Sequence, residues 1–169
     1  KALPGKGIEE IVELEYTDKK ALVRTFSRFA DVYHSDIDIL IPQIKYATND
    51  AWERITCLDK DNGYPLLLEI PYGNSALYVL TIPDNFSDLY HLPPETLTQI
   101  KQVLMQDFPV YLESASKVCL FIYDNNTLIV HSFLPYRSNC HVVVGKESAK
   151  LYDLMSDEEI CGDVNGRNS

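Results

Sequence analysis

The sequence predicts an α/β or α+β protein, in which an α/β sandwich layer is followed by a small antiparallel β-sandwich-like module. Two segments with helical spacing of apolar residues, Lys19–Val32 and Pro93–Met105, lie among strand-like segments and predict the α/β layer. After Asp107 the pattern changes to short apolar runs separated by turns, which is typical of antiparallel sheets. We therefore expect an α/β domain over residues 1–108. We expect an all-β module over residues 109–169, truncated at its C-terminal end.

The first predicted helix depends on a change of pattern at Thr17. Residues 8–16 alternate as in a strand, and Thr17 is a plausible N-cap for a helix that follows. Ser35–Asp38 then ends the helix, and the β-branched segment Ile37–Pro42 predicts a strand that Pro42 closes. The apolar residues that would form one buried helical face are Ala21, Leu22, Phe26, Phe29 and Ala30.

The next part of the chain is open to two interpretations. Lys45–Leu58 fits no single pattern, and Asn49 or Asp50 could cap a short helix that contains Trp52 and Ile55. Beyond it, Asn62-Gly63 is a strong turn signal. Two strands, Tyr64–Ile70 and Ala76–Ile82, are predicted with a loop of hairpin length between them, followed by the helix that begins at Pro93-Pro94.

The second half of the chain favours short strands. Asp124-Asn-Asn126 is a tight turn signal, because Asn and Asp tolerate positive φ. The predicted strands are Val110–Leu112, Val118–Tyr123, Thr127–Phe133, Cys140–Val144 and Ala149–Leu154.

Charge and composition exclude several classes of partner. A net charge of −10 disfavours nucleic acid and anionic membranes, since both need clustered Lys and Arg. No apolar run approaches the roughly 20 residues that span a bilayer. We expect a soluble protein, with a cytoplasmic location slightly favoured, and no cofactor, because neither a Walker A loop nor a GxGxxG motif is present.

No metal site or nucleophile emerges from the sequence. No two cysteines are close enough to form a CxxC pair, and the histidines form neither HxH nor HxxxH. His131 and His141 lie on candidate paired strands and could approach each other. Cys140 and His141 are adjacent in a strand and would point to opposite faces. We therefore assign no metal ligand and no catalytic residue.

Carboxylates are the remaining candidates for chemistry, since a pair of them performs glycoside hydrolysis. Glu69 is of interest because it lies in an otherwise apolar strand. Asp84, Asn85 and Tyr90 lie in a loop beyond a strand, where α/β folds bind ligands, and we predict a ligand-binding role for these three. The alternative is a structural loop whose polar side chains bond their own backbone. The acidic candidates are Glu53, Glu69, Asp84, Asp88 and Glu95.

Two stretches resemble accessory regions of glycoside hydrolases. Tyr72-Gly-Asn-Ser-Ala-Leu-Tyr-Val-Leu80, followed by a helix that opens at Leu92-Pro-Pro-Glu95, resembles the end of the amidotransferase-like, non-catalytic domain of bacterial β-galactosidase-type enzymes. Val118–Val130 and Leu151-Tyr-Asp-Leu-Met-Ser-Asp-Glu158 resemble the small C-terminal β-sandwich of many glycosidases. The resemblance implies an accessory role, and no catalytic residue is carried over from it.

Three functions follow as hypotheses. The first is a non-catalytic assembly fragment of a β-galactosidase-like glycoside hydrolase, with other domains of the parent chain or a second copy as partner. The second is a carbohydrate-binding module that uses surface aromatics. The third is a stand-alone hydrolase that uses Asp or Glu, which requires two carboxylates converging in a cleft. The aromatics proposed for sugar stacking are Tyr72, Tyr78, Phe86, Tyr90 and Tyr136.

Overall fold

A computed structural model describes residues 11–145, 150–160 and 162, and antiparallel β-structure dominates them. The chain divides into two compact units, Lys1–Ile100 and Lys101–Ser169. The first unit contains a five-stranded sheet in the order β2-β1-β3-β4-β5. Its strands are β1 (Val12–Arg28), β2 (Asp31–Thr48), β3 (Trp52–Leu58), β4 (Gly63–Tyr72) and β5 (Ser75–Leu80).

The predicted α/β layer is wrong, because the segment predicted as helix Lys19–Val32 is not helical. β1 covers it to Arg28, residues 29–30 form a turn, and β2 begins at Asp31 and pairs with most of β1. Two irregularities interrupt this pairing. At the first, three residues of β1 around Asp18, whose φ is +55°, oppose a single residue of β2. At the second, Ser35–Asp38 of β2 oppose Arg24 alone, and the Arg24 guanidinium donates hydrogen bonds to the carbonyls of Ser35 and Asp36.

The remaining strands of this sheet also correct the sequence interpretation. Pro42 does not close a strand, since β2 continues to Thr48, and its place in an edge strand is one that proline tolerates. The ambiguous segment around Trp52 is strand β3 rather than a short helix. The amidotransferase-like resemblance implied an α/β layer here, and the antiparallel sheet does not provide one.

The core of the first unit takes in both faces of β4, because the successive residues Leu66, Leu67 and Leu68 are all buried. The two edges of the sheet come close together. The backbone N–H of Asp84, just beyond edge strand β5, donates to the carbonyl of Leu40 in the other edge strand, β2, at 3.0 Å. β4 is buried on nearly every residue from Pro65 to Ile70. The largest fully buried side chains include Phe26, Ile39, Ile41, Ile55, Leu66, Leu68 and Ile70.

The β4–β5 hairpin has a two-residue turn, Gly73-Asn74, between the paired residues Tyr72 and Ser75. Gly73 has φ of +64°, as the first central position of a type II′ turn requires. We expect Gly73→Ala to lower the free energy of unfolding by about 1 kcal/mol, because an L side chain disfavours this φ and no neighbour within 4 Å adds to the cost. Urea unfolding measures the effect, with Asn74→Ala as the control; equal midpoints for the two variants would contradict the prediction.

Helical structure follows β5. A 3-10 helix covers Phe86–His91, and the predicted helix is confirmed as α1 (Pro94–Met105). Pro94 at the first helical position loses no helical hydrogen bond, which explains the sharp start. Among the described residues no helix is long and apolar enough to cross a bilayer.

The second unit contains three two-stranded antiparallel ladders, so the predicted strands of this part are confirmed. β6 pairs with β9, β7 with β8, and β10 with β11. Their bounds are β6 (Val110–Glu113), β7 (Val118–Ile122), β8 (Leu128–Ser132), β9 (His141–Val144), β10 (Leu151–Asp153) and β11 (Glu158–Ile160). The beginning of the predicted strand at Ile8, the residue Ala149 and Cys161 lie outside the described residues.

Candidate functional site

The predicted ligand-binding loop begins with Asp84, whose carboxylate pairs with the ammonium of Lys20 in β1. This hydrogen bond raises the pKa of Lys20 above its ordinary value. The backbone of Asp84 is bonded to Leu40 at the same place. Asp84 therefore links the segment beyond β5 to both β1 and β2.

Asn85 caps the 3-10 helix that follows. Its Oδ1 accepts from the Ser87 backbone N–H at 3.3 Å and from the Ser87 hydroxyl at 2.8 Å, and its Nδ2 donates to the Asp88 carboxylate at 3.0 Å. Both the oxygen and the nitrogen of the side-chain amide thus have partners within the next three residues. The side-chain bonding matches the structural-loop alternative that the sequence left open.

Tyr90 lies at the end of the same 3-10 helix and is 73% exposed. The structure thus places the three predicted residues on one short segment, where Asp84 and Asn85 have protein partners and Tyr90 faces solvent. Ligand binding by this segment stays a prediction.

Glu53 is a half-buried acid held by two hydroxyl groups. Tyr46 donates to its Oε1 at 2.6 Å, and Thr56 donates to its Oε2 at 2.7 Å. Burial, together with the hydrogen bond to Glu53, raises the pKa of Tyr46 to about 12. The phenol therefore stays protonated, and continues to donate, well above its usual titration range.

Glu69 is less exposed than Asp84, the other candidate acid in an ion pair. Arg54 Nε lies 2.5 Å from Glu69 Oε2, and only 18% of the Glu69 side chain is exposed. The hydrogen bond to Glu69 raises the pKa of Arg54, with a smaller contribution from Tyr78. The partner from the neighbouring strand thus explains how an otherwise apolar strand accommodates the charge of Glu69.

The sheet also aligns two aromatic side chains with Glu69, and sequence reasoning missed this row. Trp52 in β3 and Tyr78 in β5 are each paired directly with Glu69 in β4. Directly paired residues of antiparallel strands carry their side chains on the same face. Placing Trp52 in a possible helix hid the row, and the isolated Glu69 was the signal that pointed to it.

His131 and His141 lie in different ladders and are not paired with each other. His131 is paired with Cys119 in the β7–β8 ladder, whereas His141 is paired with Glu113 in the β6–β9 ladder. In the part of the chain that the structure describes, no group of three His, Cys, Asp or Glu residues could hold a metal ion. Cys57, Cys119 and Cys140 are free, and burial raises the pKa of the Cys57 thiol, which makes it a poor nucleophile.

The C-terminal part of the chain matches a known protein family. Residues 109–168 match the family model described as "probable glycosyl hydrolase, C-terminal domain". No curated protein and no solved structure matches the chain. The match confirms the glycoside hydrolase part of the resemblance for residues 109–168. The C-terminal part of the chain is therefore similar to the C-terminal domain of a glycosyl hydrolase.

Proposed function

We propose that the chain is a non-catalytic accessory region of a larger carbohydrate-active enzyme. The match of residues 109–168 to a glycosyl hydrolase C-terminal domain carries this proposal. A β-galactosidase-type parent is the more specific form of this proposal. It rests on the resemblance of Tyr72–Leu80, and of the helix that opens at Leu92-Pro-Pro-Glu95, to the accessory domain of those enzymes. The substrate would be set by residues of the parent enzyme.

The acids of the first unit support a structural rather than a catalytic role. Glu53, Glu69 and Asp84 each accept hydrogen bonds from a partner within the sheet or its connections. A glycosidase acid must donate a proton to the leaving group. Glu69 and Asp84 instead accept from a cation, and Glu53 accepts from two hydroxyl groups. This observation disfavours the stand-alone hydrolase.

The partner would be another domain of the parent chain or a second copy. Exposed apolar side chains on both strands of the β7–β8 hairpin support association, because a hairpin of two strands is marginally stable alone. The exposed residues of this hairpin are Phe121, Ile122, Ile129 and Val130.

Two measurements test the proposal. The purified 169-residue chain is incubated with a panel of aryl glycosides, and we expect no turnover above that of a Glu53→Gln/Glu69→Gln variant. An antibody against the chain is then used to isolate the protein from its source. Peptide sequencing should place these residues in a longer polypeptide that hydrolyses glycosides. Turnover by the isolated chain that the double variant lacks, or isolation of a free polypeptide without hydrolase activity, would overturn the proposal.

Carbohydrate binding is the second candidate function, and one observation favours it. Of the aromatics proposed from the sequence, Phe86, Tyr90 and Tyr136 are exposed, while Tyr72 and Tyr78 are half-buried. They are spread over several elements. The row that Trp52 and Tyr78 form with Glu69 provides the more ordered surface.

A further inference from the structure

One row of side chains across β3, β4 and β5 combines two aromatic rings with an ion pair. Trp52, Glu69 and Tyr78 occupy directly paired positions on β3, β4 and β5. Arg54 lies at an irregularity of β3, where no partner opposes it in β4, and its guanidinium reaches Glu69. The four side chains thus form one surface, which we call the Trp52 row.

The Trp52 row is accessible and chemically mixed. Trp52 is 55% exposed, Tyr78 is half-exposed, and the Arg54 side chain retains 37% of its surface. Arg54 donates its Nε–H to Glu69, and among the described residues its terminal N–H groups have no protein acceptor. Glu69 Oε1 likewise has no donor among those residues.

We propose that the Trp52 row binds a neutral oligosaccharide that lies across β3, β4 and β5. This inference deepens the proposed function and rests on it. Trp52 and Tyr78 present apolar surface to the C–H faces of two sugar rings, in the way that aromatic side chains bury apolar area. Arg54 donates to ring hydroxyl oxygens, and Glu69 accepts from hydroxyl groups between the rings.

The spacing of the row selects the length of the ligand. Two strand-to-strand steps separate Trp52 from Tyr78, so their backbones lie about 10 Å apart. One sugar ring cannot contact both aromatics at this separation. A ligand of at least two linked rings is therefore required, with its polar linkage above the Arg54–Glu69 pair.

The charge of the row and of the chain selects a neutral ligand. Arg54 and Glu69 neutralise each other, so the row attracts neither a polyanion nor a polycation strongly. The net charge of −10 further disfavours acidic polysaccharides. The half-buried ion pair is also costly to desolvate under an apolar protein surface, whereas a sugar replaces water with hydroxyl groups.

Trp52 is the single tryptophan of the chain, so its fluorescence reports on the row directly. Neutral oligosaccharides from di- to hexasaccharide, built of glucose, galactose, mannose or xylose, are titrated into the 169-residue chain. We expect at least one series to shift the tryptophan emission saturably, with affinity that rises from mono- to disaccharide. No response from any series would overturn the inference and leave the accessory role standing, because that role is tested by peptide sequencing.

Variants locate the binding by calorimetric titration with the same oligosaccharide. Trp52→Ala and Tyr78→Ala should each weaken binding about tenfold, the order expected for one lost apolar contact face. Trp52→Phe should retain most of the affinity. Phe108→Ala, which removes an aromatic of similar exposure outside the row, should leave it unchanged. Circular dichroism confirms folding of each variant. Equal affinity of Trp52→Ala and Phe108→Ala, or an emission shift that tracks dimer formation without sugar, would contradict the site.

Discussion

Phe26→Ala should lower the free energy of unfolding by about 3–5 kcal/mol, the range for removing a fully buried phenylalanine. Phe26 is completely buried in β1 and is paired with Cys57 of β3. Its removal leaves a cavity among close-packed apolar side chains that cannot fully collapse. The cavity would lie where β1 pairs with β3, so the surrounding strands have little freedom to close it.

Urea unfolding followed by circular dichroism measures this effect. Phe86→Ala is the matched control, because the same side chain is removed from a site that is 65% exposed, and its change should stay within about 0.5 kcal/mol. Phe26→Leu, which conserves much of the volume, should cost less than about 1.5 kcal/mol and keeps the test valid if the alanine variant does not fold. A Phe26→Ala midpoint equal to that of Phe86→Ala would show that Phe26 is not a core residue.

Arg54→Met should destabilise the first unit by about 2 kcal/mol, between the values for exposed and buried ion pairs. The substitution keeps the length and the apolar stem of the side chain. It leaves the Glu69 carboxylate mostly covered and without its cation. The uncompensated charge, rather than the lost attraction itself, is the main source of the penalty.

A double-mutant cycle distinguishes this mechanism from a simple packing loss. Arg54→Met/Glu69→Leu should be more stable than Arg54→Met alone, because the second change removes the stranded charge. Lys45→Met is the control, since Lys45 and Glu15 are 4.0 Å apart and both well exposed, and its effect should be within about 0.5 kcal/mol. A double variant less stable than either single variant would contradict the stranded-charge explanation.

The failure to predict β1 from the sequence has a physical cause. In β1 the buried residues are Ala21, Val23 and Phe26, and an irregularity between Val23 and Thr25 changes the side-chain alternation. The step of three from Val23 to Phe26 imitates the spacing of a helical face. Irregularities of this kind depend on the partner strand, so a local pattern cannot reveal them.

The irregularity around Asp18 also misled the prediction. Thr17 accepts from the backbone N–H of Lys19 at 3.3 Å, as a capping residue does in a helix, but its hydroxyl also donates to the carbonyl of Gln43 in β2. By contrast, α1 was predictable because its signals are local: proline at its start and apolar residues at helical spacing. The short strands after Pro109 were predictable for the same reason.

The candidate site shows the same division between local and non-local information. The sequence singled out Glu69 as an acid in an apolar strand, and Asp84 and Asn85 as loop residues, from their neighbours in the chain. Asn85 bonds its neighbours Ser87 and Asp88, but the partner of Glu69 is Arg54, 15 residues away, and the partner of Asp84 is Lys20, 64 residues away. Only the strand register places Trp52 and Tyr78 beside Glu69.

The narrow junction between β1 and β3 has a consequence for the way the sheet opens. The two strands share only the pairs that Thr25, Phe26 and Ser27 form with β3, whereas β1–β2 and β3–β4–β5 are each extensively paired. Amide hydrogen exchange should therefore see two cooperative blocks that separate along this seam before either block melts. Three polar contacts join the two blocks and oppose their separation. They are the hydrogen bond from Tyr46 to Glu53, the ion pair of Lys20 with Asp84, and the backbone hydrogen bond from Asp84 to Leu40.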